Sequence, residues 1–168
     1  MQNNNFISNI YVGKTNKDLM AFDEGDEYMY TFPKIEDIPT GYYLCEVVSV
    51  DESSTKDGKP GIDVCYDLYT YSKVYNNVID YYIDGIDEVL NPEYHIRQRY
   101  VKDTDSFRKA QSVFKDTCVL RTVASWRDIV GCCYVGNLYS SYGDYCSLEL
   151  LYEYCEEELV KEIEEKYL

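Results

Sequence analysis

Three segments in the first half of the chain have the composition of β-strands, and the second of them alternates apolar with polar positions. Residues 42–50 and 62–71 are rich in β-branched and aromatic side chains, and a polar turn separates them. Residues 78–83 follow an Asn-Asn pair that suits a tight hairpin. The pattern predicts three antiparallel strands, the second of which buries one face and exposes Asp63 and Asp67 to water on the other.

In the second half of the chain the spacing of the apolar residues changes. Residues 104–116 place their apolar side chains on one helical face, and a short turn follows at 126–130. Residues 132–139 and 145–152 have strand composition and predict a second hairpin. Residues 84–102 follow no clear period, and we leave them unassigned.

The predicted order is three strands, one helix and two strands. This is the order of an OB-type barrel, a five-stranded and partly open Greek key. We therefore expect a mainly β fold with minor α content and a helix between strands three and four. The predicted division is an N-terminal arm over 1–38, an OB-like β-barrel domain over 39–152 and an acidic C-terminal helix or tail over 153–168.

Charge and aromatic content narrow the choice of partners. The net charge is −15, the acidic residues are densest at the two ends, and the chain has 20 tyrosines. A polyanion repels nucleic acid at long range, whereas tyrosine rings stack on bases and are frequent in protein interfaces. No segment is long and apolar enough to span a membrane and the N-terminus lacks a secretory pattern, so we expect a cytoplasmic protein without a membrane partner.

The residues that usually carry chemistry do not form a recognisable set. There are seven cysteines, no CxxC pair and one histidine, His95. A zinc site needs about four ligands within reach of one another, so we expect reduced, buried thiols and no metal. Because no nucleophile motif accompanies His95 and no glycine-rich phosphate loop is present, we expect a binding protein with no catalytic residue and no cofactor.

A family resemblance adds to this pattern. Residues 39–68, PTGYYLCEVVSVDESSTKDGKPGIDVCYDL, resemble the opening of a bacteriophage family of single-stranded-DNA-binding proteins with OB folds. That family has a Pro-x-Gly-x-Tyr strand with a valine-rich end and then a Ser/Thr-Lys-x-Gly-Lys-Pro turn. The matching positions are Pro39, Gly41, Tyr43, Val47, Val50, Thr55, Lys56, Gly58, Lys59 and Pro60. Residues 126–151 resemble the second half of the same family.

The resemblance implies a basic, aromatic groove on the barrel, and stacking combined with phosphate contact is what a single strand requires. The best basic cluster comprises Arg97, Arg99 and Lys102, interleaved with tyrosines. The predicted nucleic-acid-binding residues are Lys56, Lys59, Tyr69, Lys73, Tyr94, Arg97, Arg99, Tyr100 and Lys102. An alternative stays open, in which the lysines and arginines only neutralise an acidic surface.

The C-terminal segment can be compared with the same family, whose members often recruit replication proteins through an acidic tail. The predicted partner-binding residues are Glu157, Glu158, Glu162, Glu164, Glu165, Tyr167 and Leu168. Leu159, Ile163 and Tyr167 are spaced four apart, as on one face of a helix. That stripe fits either packing on the barrel or pairing in a homodimer.

Two functions follow from these observations. The resemblance implies a non-enzymatic, phage-type protein that binds single-stranded DNA in replication or recombination within a bacterial host cell. The net charge of −15 instead favours an acidic protein that mimics DNA. Such a protein would inhibit a basic, nucleic-acid-binding defence nuclease of the host, as anti-CRISPR proteins do. Basic side chains and aromatic rings along a groove would favour the first function, and acidic side chains clustered on one convex face would favour the second.

Overall fold

The structure is a computed structural model that describes residues 30–86, 88–117, 123–155, 161–162 and 164–166. The main elements in chain order are β1 (Gly41–Ser54), β2 (Pro60–Thr70), α1 (Tyr71–Asp84), β3 (Tyr94–Val101), α2 (Asp105–Thr117), a 3₁₀ helix (Trp126–Ile129), β4 (Cys133–Ser140) and β5 (Cys146–Glu153). Residues 161–162 and 164–166 are also helical.

The strands form one antiparallel sheet in the order β3-β2-β1-β4-β5. The central strand β1 is 14 residues long and pairs with β2 on one side and with β4 on the other. The turn between β1 and β2 is closed by a hydrogen bond of 2.9 Å from the Thr55 amide to the Lys59 carbonyl. Gly58 has a φ of 83° in this turn, which glycine adopts without the strain that a side chain would cause.

Most of the predicted elements coincide with observed ones. The predicted strand 42–50 lies in β1, and the predicted strand 62–71 lies in β2 except for Tyr71, which begins α1. The predicted helix 104–116 matches α2 within one residue, and α2 falls between β3 and β4. The predicted hairpin of 132–139 and 145–152 corresponds to β4 and β5 within one residue. The chain is therefore mainly β, built on one five-stranded antiparallel sheet.

The predicted third strand, residues 78–83, is wrong because this segment belongs to helix α1. Val74 and Val78 are four residues apart and both are buried, so one helical face is apolar enough to pack on the sheet. The helix ends at Gly85, whose φ of 73° suits a left-handed cap. The observed third strand is β3, which lies within the segment that the sequence pattern left unassigned.

Both faces of the sheet are covered in part. We call the face that packs against α2 and the 3₁₀ helix the inner face, and its core includes Tyr43, Tyr66 and Tyr134. We call the opposite side the outer face, where helix α1 covers Leu44 and Tyr69. Covering on both sides explains why β2 is buried along most of its length.

The prediction that Asp63 and Asp67 are wet is therefore wrong. Asp63 is 6% exposed and Asp67 is fully buried, although both lie on the outer face as the alternation requires. Neighbouring polar groups make this burial tolerable, because a buried carboxylate needs hydrogen-bond donors. Tyr30 and Arg99 are among the donors that supply them.

The two edge strands, β3 and β5, are linked by residues 30–38, which were predicted to belong to an N-terminal arm. The Arg97 amide of β3 donates to the Thr31 carbonyl, and the Cys146 amide of β5 donates to the Pro33 carbonyl, both at 2.9 Å. Ile38 lies in the core of the inner face. Helix α2 contacts both edge strands as well.

Candidate nucleic-acid interface

Strand β3 arranges its basic residues on one side. Alternation turns Ile96 and Tyr100 into the core of the inner face, so His95, Arg97 and Arg99 lie on the outer face. Register pairs Arg99 with Asp63 of β2. The spacing of two residues along an edge strand places successive cations about 7 Å apart.

A buried carboxylate holds the two arginines. Arg99 donates to Asp63 from Nε to Oδ1 at 2.8 Å and from Nη2 to Oδ2 at 3.0 Å, while Arg97 Nη1 lies 3.9 Å from Oδ2. Ser53 Oγ donates to Asp63 Oδ1 at 2.8 Å. Burial opposes ionisation, but the hydrogen bonds from Arg99 and Ser53 outweigh it and hold the pKa of Asp63 below its usual value.

A second polar cluster lies one step along the same face. Tyr30 donates its hydroxyl proton to Asp67 Oδ1 at 2.7 Å, and His95 Nδ1 lies 2.6 Å from the same oxygen. The rings of Tyr30 and His95 meet edge to face at 5.5 Å. Phe32, which is two residues further on, has its ring centroid 5.3 Å from the guanidinium carbon of Arg99. Residues 30–32 therefore pack beside the basic residues of β3.

Two of the predicted lysines lie near the end of β3. The Lys102 amide donates to the Pro60 carbonyl at 2.9 Å, which places Lys102 beside the turn that carries Lys59. Both side chains are exposed, as is that of Lys56. We call Arg97, Arg99, Lys102 and Lys59 the basic stripe.

The predicted tyrosines do not join the basic stripe. Tyr69 is 2% exposed and donates to Glu46 Oε1 at 3.2 Å beneath helix α1, and burial raises its pKa far above the usual value. Tyr100 is 5% exposed, and its hydroxyl lies 2.8 Å from that of Tyr66. Tyr94 is half-buried, with its ring edge to face against Tyr43. Tyr69 and Tyr100 thus serve the core.

The remaining predicted residues fall elsewhere. Lys73, at the start of α1, forms an ion pair of 3.0 Å with Glu93. Glu162, Glu164 and Glu165 are helical and exposed. The other predicted partner-binding residues, Glu157, Glu158, Tyr167 and Leu168, lie outside the described part of the chain, and so do the stripe residues Leu159 and Ile163.

Sequence reasoning missed Tyr30 and Phe32 as companions of the basic stripe. They lie next to β3 in space but more than 60 positions before it in the chain. The alternation of YHIRQRYV over residues 94–101 was a usable signal for β3 itself, because Tyr94, Ile96 and Tyr100 fall on one side.

The described residues offer no group of three or more His, Cys, Asp or Glu side chains that could hold a metal ion. Within the same residues, no helix combines the length and apolar character needed to cross a membrane. Cys45, Cys65 and Cys146 are buried free thiols, and Cys132 and Cys133 are buried as well. No protein-family model matches the chain, and a search of the curated proteins finds no match either.

Proposed function

We propose that this chain is a non-enzymatic protein that binds single-stranded DNA along the basic stripe, in replication or recombination. The observation that carries the proposal is the placement of Arg97, Arg99, Lys102 and Lys59 along one edge strand and its adjoining turn. Phosphates bind such a row of cations without reading sequence, because the contact is electrostatic.

The ring of Phe32 supports the same function. It is 39% exposed and lies over Arg99, so it offers a face on which a base can stack beside the cation. Phe32 takes the role that the sequence assigned to Tyr69 and Tyr100. The five-stranded sheet and the helix between β3 and β4 are compatible with an OB-type arrangement, which uses a sheet face and its loops for oligonucleotides.

The test is fluorescence anisotropy with a labelled long oligothymidine across a salt series. About four phosphate contacts predict a slope near −3 in log K against log salt, or about 50-fold weaker binding at 200 mM than at 50 mM. Arg97→Gln and Lys102→Gln should each weaken binding and reduce the slope by about 0.7. Lys115→Gln, an exposed position on α2, is the matched control and should change neither quantity.

Failure to bind oligothymidine at low salt would reject the proposal. Equal losses in Lys115→Gln and in the stripe variants would show that net charge alone governs binding.

The acidic-mimic alternative has an observation of its own. Residues 128–160 contain seven acidic residues and neither lysine nor arginine. A chain that imitates DNA would inhibit a basic CRISPR nuclease, and salt would weaken the inhibition. Inhibition of the nuclease by a chain that does not bind oligothymidine would favour this function over the first.

Three further expectations stay predictions: recruitment of replication proteins by the C-terminal acidic residues, homodimerisation and a cytoplasmic location.

A further inference from the structure

A group of exposed tyrosines lies on the outer face, at the β5 side of the sheet. Tyr42 of β1, Tyr139 of β4 and Tyr152 of β5 are 58%, 43% and 45% exposed. Tyr42 pairs with Asn137, and Asn137 pairs with Glu149 on β5. Side chains alternate along each strand, and a bulge in β5 lets Tyr152 pair with Val135, so all five positions share the outer face; we call them the tyrosine face.

Helix α1 covers only part of this side of the sheet. The buried residues of this helix contact Leu44 of β1, Tyr69 of β2 and Cys133 at the start of β4. Tyr42 and Tyr139 lie past the helix, whereas Tyr152 of β5 lies beside it and its hydroxyl is hydrogen-bonded to Tyr71 at the start of α1. Large aromatic side chains left this open on a sheet are typical of protein interfaces, where tyrosine is enriched.

The strands β4 and β5, which carry most of the tyrosine face, have charged residues of one sign. Residues 128–160, which include β4 and β5, have no lysine or arginine, and Glu149 of the tyrosine face is exposed. Asp144, in the turn before β5, is exposed as well. At the start of α1, burial, the neighbouring Tyr152 and the charge of Glu162 raise the pKa of Tyr71 to about 12. An acidic surface of this kind repels phosphate and attracts cations.

The same end of the molecule already contains a cation over an aromatic ring. Lys34 Nζ lies 5.9 Å from the ring centroid of Tyr145, which follows Asp144 in the β4–β5 turn. The contact is within the range of cation–π attraction. It is an example, within this structure, of a cation packed against a tyrosine ring at the acidic end of the sheet.

We propose that the tyrosine face binds an arginine-rich segment of a protein partner. Guanidinium groups stack on the rings of Tyr42, Tyr139 and Tyr152, and Glu149 accepts their hydrogen bonds. Arginine suits this surface better than lysine does, because its planar group can stack and hydrogen-bond at once. The inference does not depend on the proposed function, since it uses the acidic β5 side of the sheet rather than the basic stripe.

The test measures binding of a fluorescent peptide of alternating arginine and glycine to the full chain by anisotropy. The double variant Tyr42→Ser/Tyr139→Ser should weaken binding about tenfold, which corresponds to about 1.4 kcal/mol. Glu149→Gln should weaken it about threefold. Circular dichroism confirms the fold of each variant, and the single exposed change Glu149→Gln keeps the test decisive if the double variant unfolds.

Two matched controls separate the tyrosine face from net charge. Tyr142→Ser removes a tyrosine that is 87% exposed in the β4–β5 turn, and Glu52→Gln removes one acid at the end of β1. Neither should change peptide affinity by as much as twofold.

Three results would overturn the inference: no peptide binding, losses in the controls equal to those in the tyrosine-face variants, or loss of oligothymidine binding in the double variant. The last would make the surface a nucleic-acid platform. Peptide binding that survives while oligothymidine fails to bind would leave this inference intact and reject only the proposed function.

Discussion

Arg99 of β3 donates two hydrogen bonds to the buried carboxylate of Asp63 of β2, at 2.8 Å and 3.0 Å. The same carboxylate lies 3.9 Å from Arg97, so one buried acid holds two of the four cations of the basic stripe. Asp63 stabilises the fold and at the same time lowers the positive charge that a phosphate would meet. Its removal should therefore affect stability and DNA binding in opposite directions.

Asp63→Asn should lower the free energy of unfolding by about 2 kcal/mol at pH 7, because charged hydrogen bonds to Arg99 are lost. The native pKa of Asp63 lies below its ordinary value of 3.8, so the carboxylate stabilises the fold fully above about pH 4. This contribution is lost as the pH falls through the native pKa. Urea unfolding across this range should show the two proteins converging in acid. A deficit that is unchanged in acid would mean that the ion pair is not its cause.

The same variant should bind oligothymidine more tightly at pH 7. Removal of one negative charge beside Arg97 and Arg99 should steepen the slope of log K against log salt by up to about 0.7. Asp80→Asn, an exposed change on helix α1, alters the net charge equally and is the control. Anisotropy titrations in parallel would compare them, and equal tightening in both variants would contradict a role for the basic stripe.

Local patterns predicted most of the sheet. β1, β2, β4 and β5 are rich in apolar residues and are bounded by turn residues, and both signals lie within the segment or next to it. Residues 78–83 were misassigned because VIDYYI has apolar residues at both the strand and the helix spacing. Only the packing of Val74 and Val78 against the sheet distinguishes the two, and that is a tertiary contact.

The candidate site was predictable only in part. Arg97 and Arg99 are separated by one residue, so a strand necessarily brings them to one face. The exposure of a tyrosine instead depends on what covers its strand. Tyr69 lies beneath helix α1 and Tyr42 lies beyond it, although the two occupy the same face of adjacent strands. The contacts of Tyr30 and Phe32 join distant parts of the chain, which no local pattern records.

Tyr66 and Tyr100 provide a test of the core, since their hydroxyls lie 2.8 Å apart with almost no exposure. Tyr66→Phe leaves the Tyr100 hydroxyl without this partner and should cost about 2 kcal/mol of stability. The double change to phenylalanine should cost less than the sum of the single changes, because no hydroxyl is then stranded. Urea unfolding of the four proteins measures this coupling, and strictly additive losses would contradict it.

Two substitutions test whether residues 78–83 form part of helix α1 rather than the strand that the sequence predicted. Val78 is fully buried on the outer face, so Val78→Ala should lower the free energy of unfolding by about 1.5 kcal/mol. Ile83 lies on the same helix and is 51% exposed, so Ile83→Ala should cost about 0.5 kcal/mol or less. Chemical denaturation gives both values. A larger loss in Ile83→Ala would mean that the buried face of this segment is assigned wrongly.

Gly136 of β4 is packed closely against side chains of β1 and β5. A Cβ at this position would lie 2.9 Å from Leu148 Cδ1 and 3.0 Å from Cys45 Sγ. Gly136→Ala should therefore lower the free energy of unfolding by about 2 kcal/mol through overpacking. Leu148→Ala removes one of the two obstacles, so the double variant should lose about 1 kcal/mol less than the sum of the single losses. Thermal and urea unfolding would measure the set. Additive losses would show that these side chains do not meet at Gly136, contrary to the register of β4 with β5.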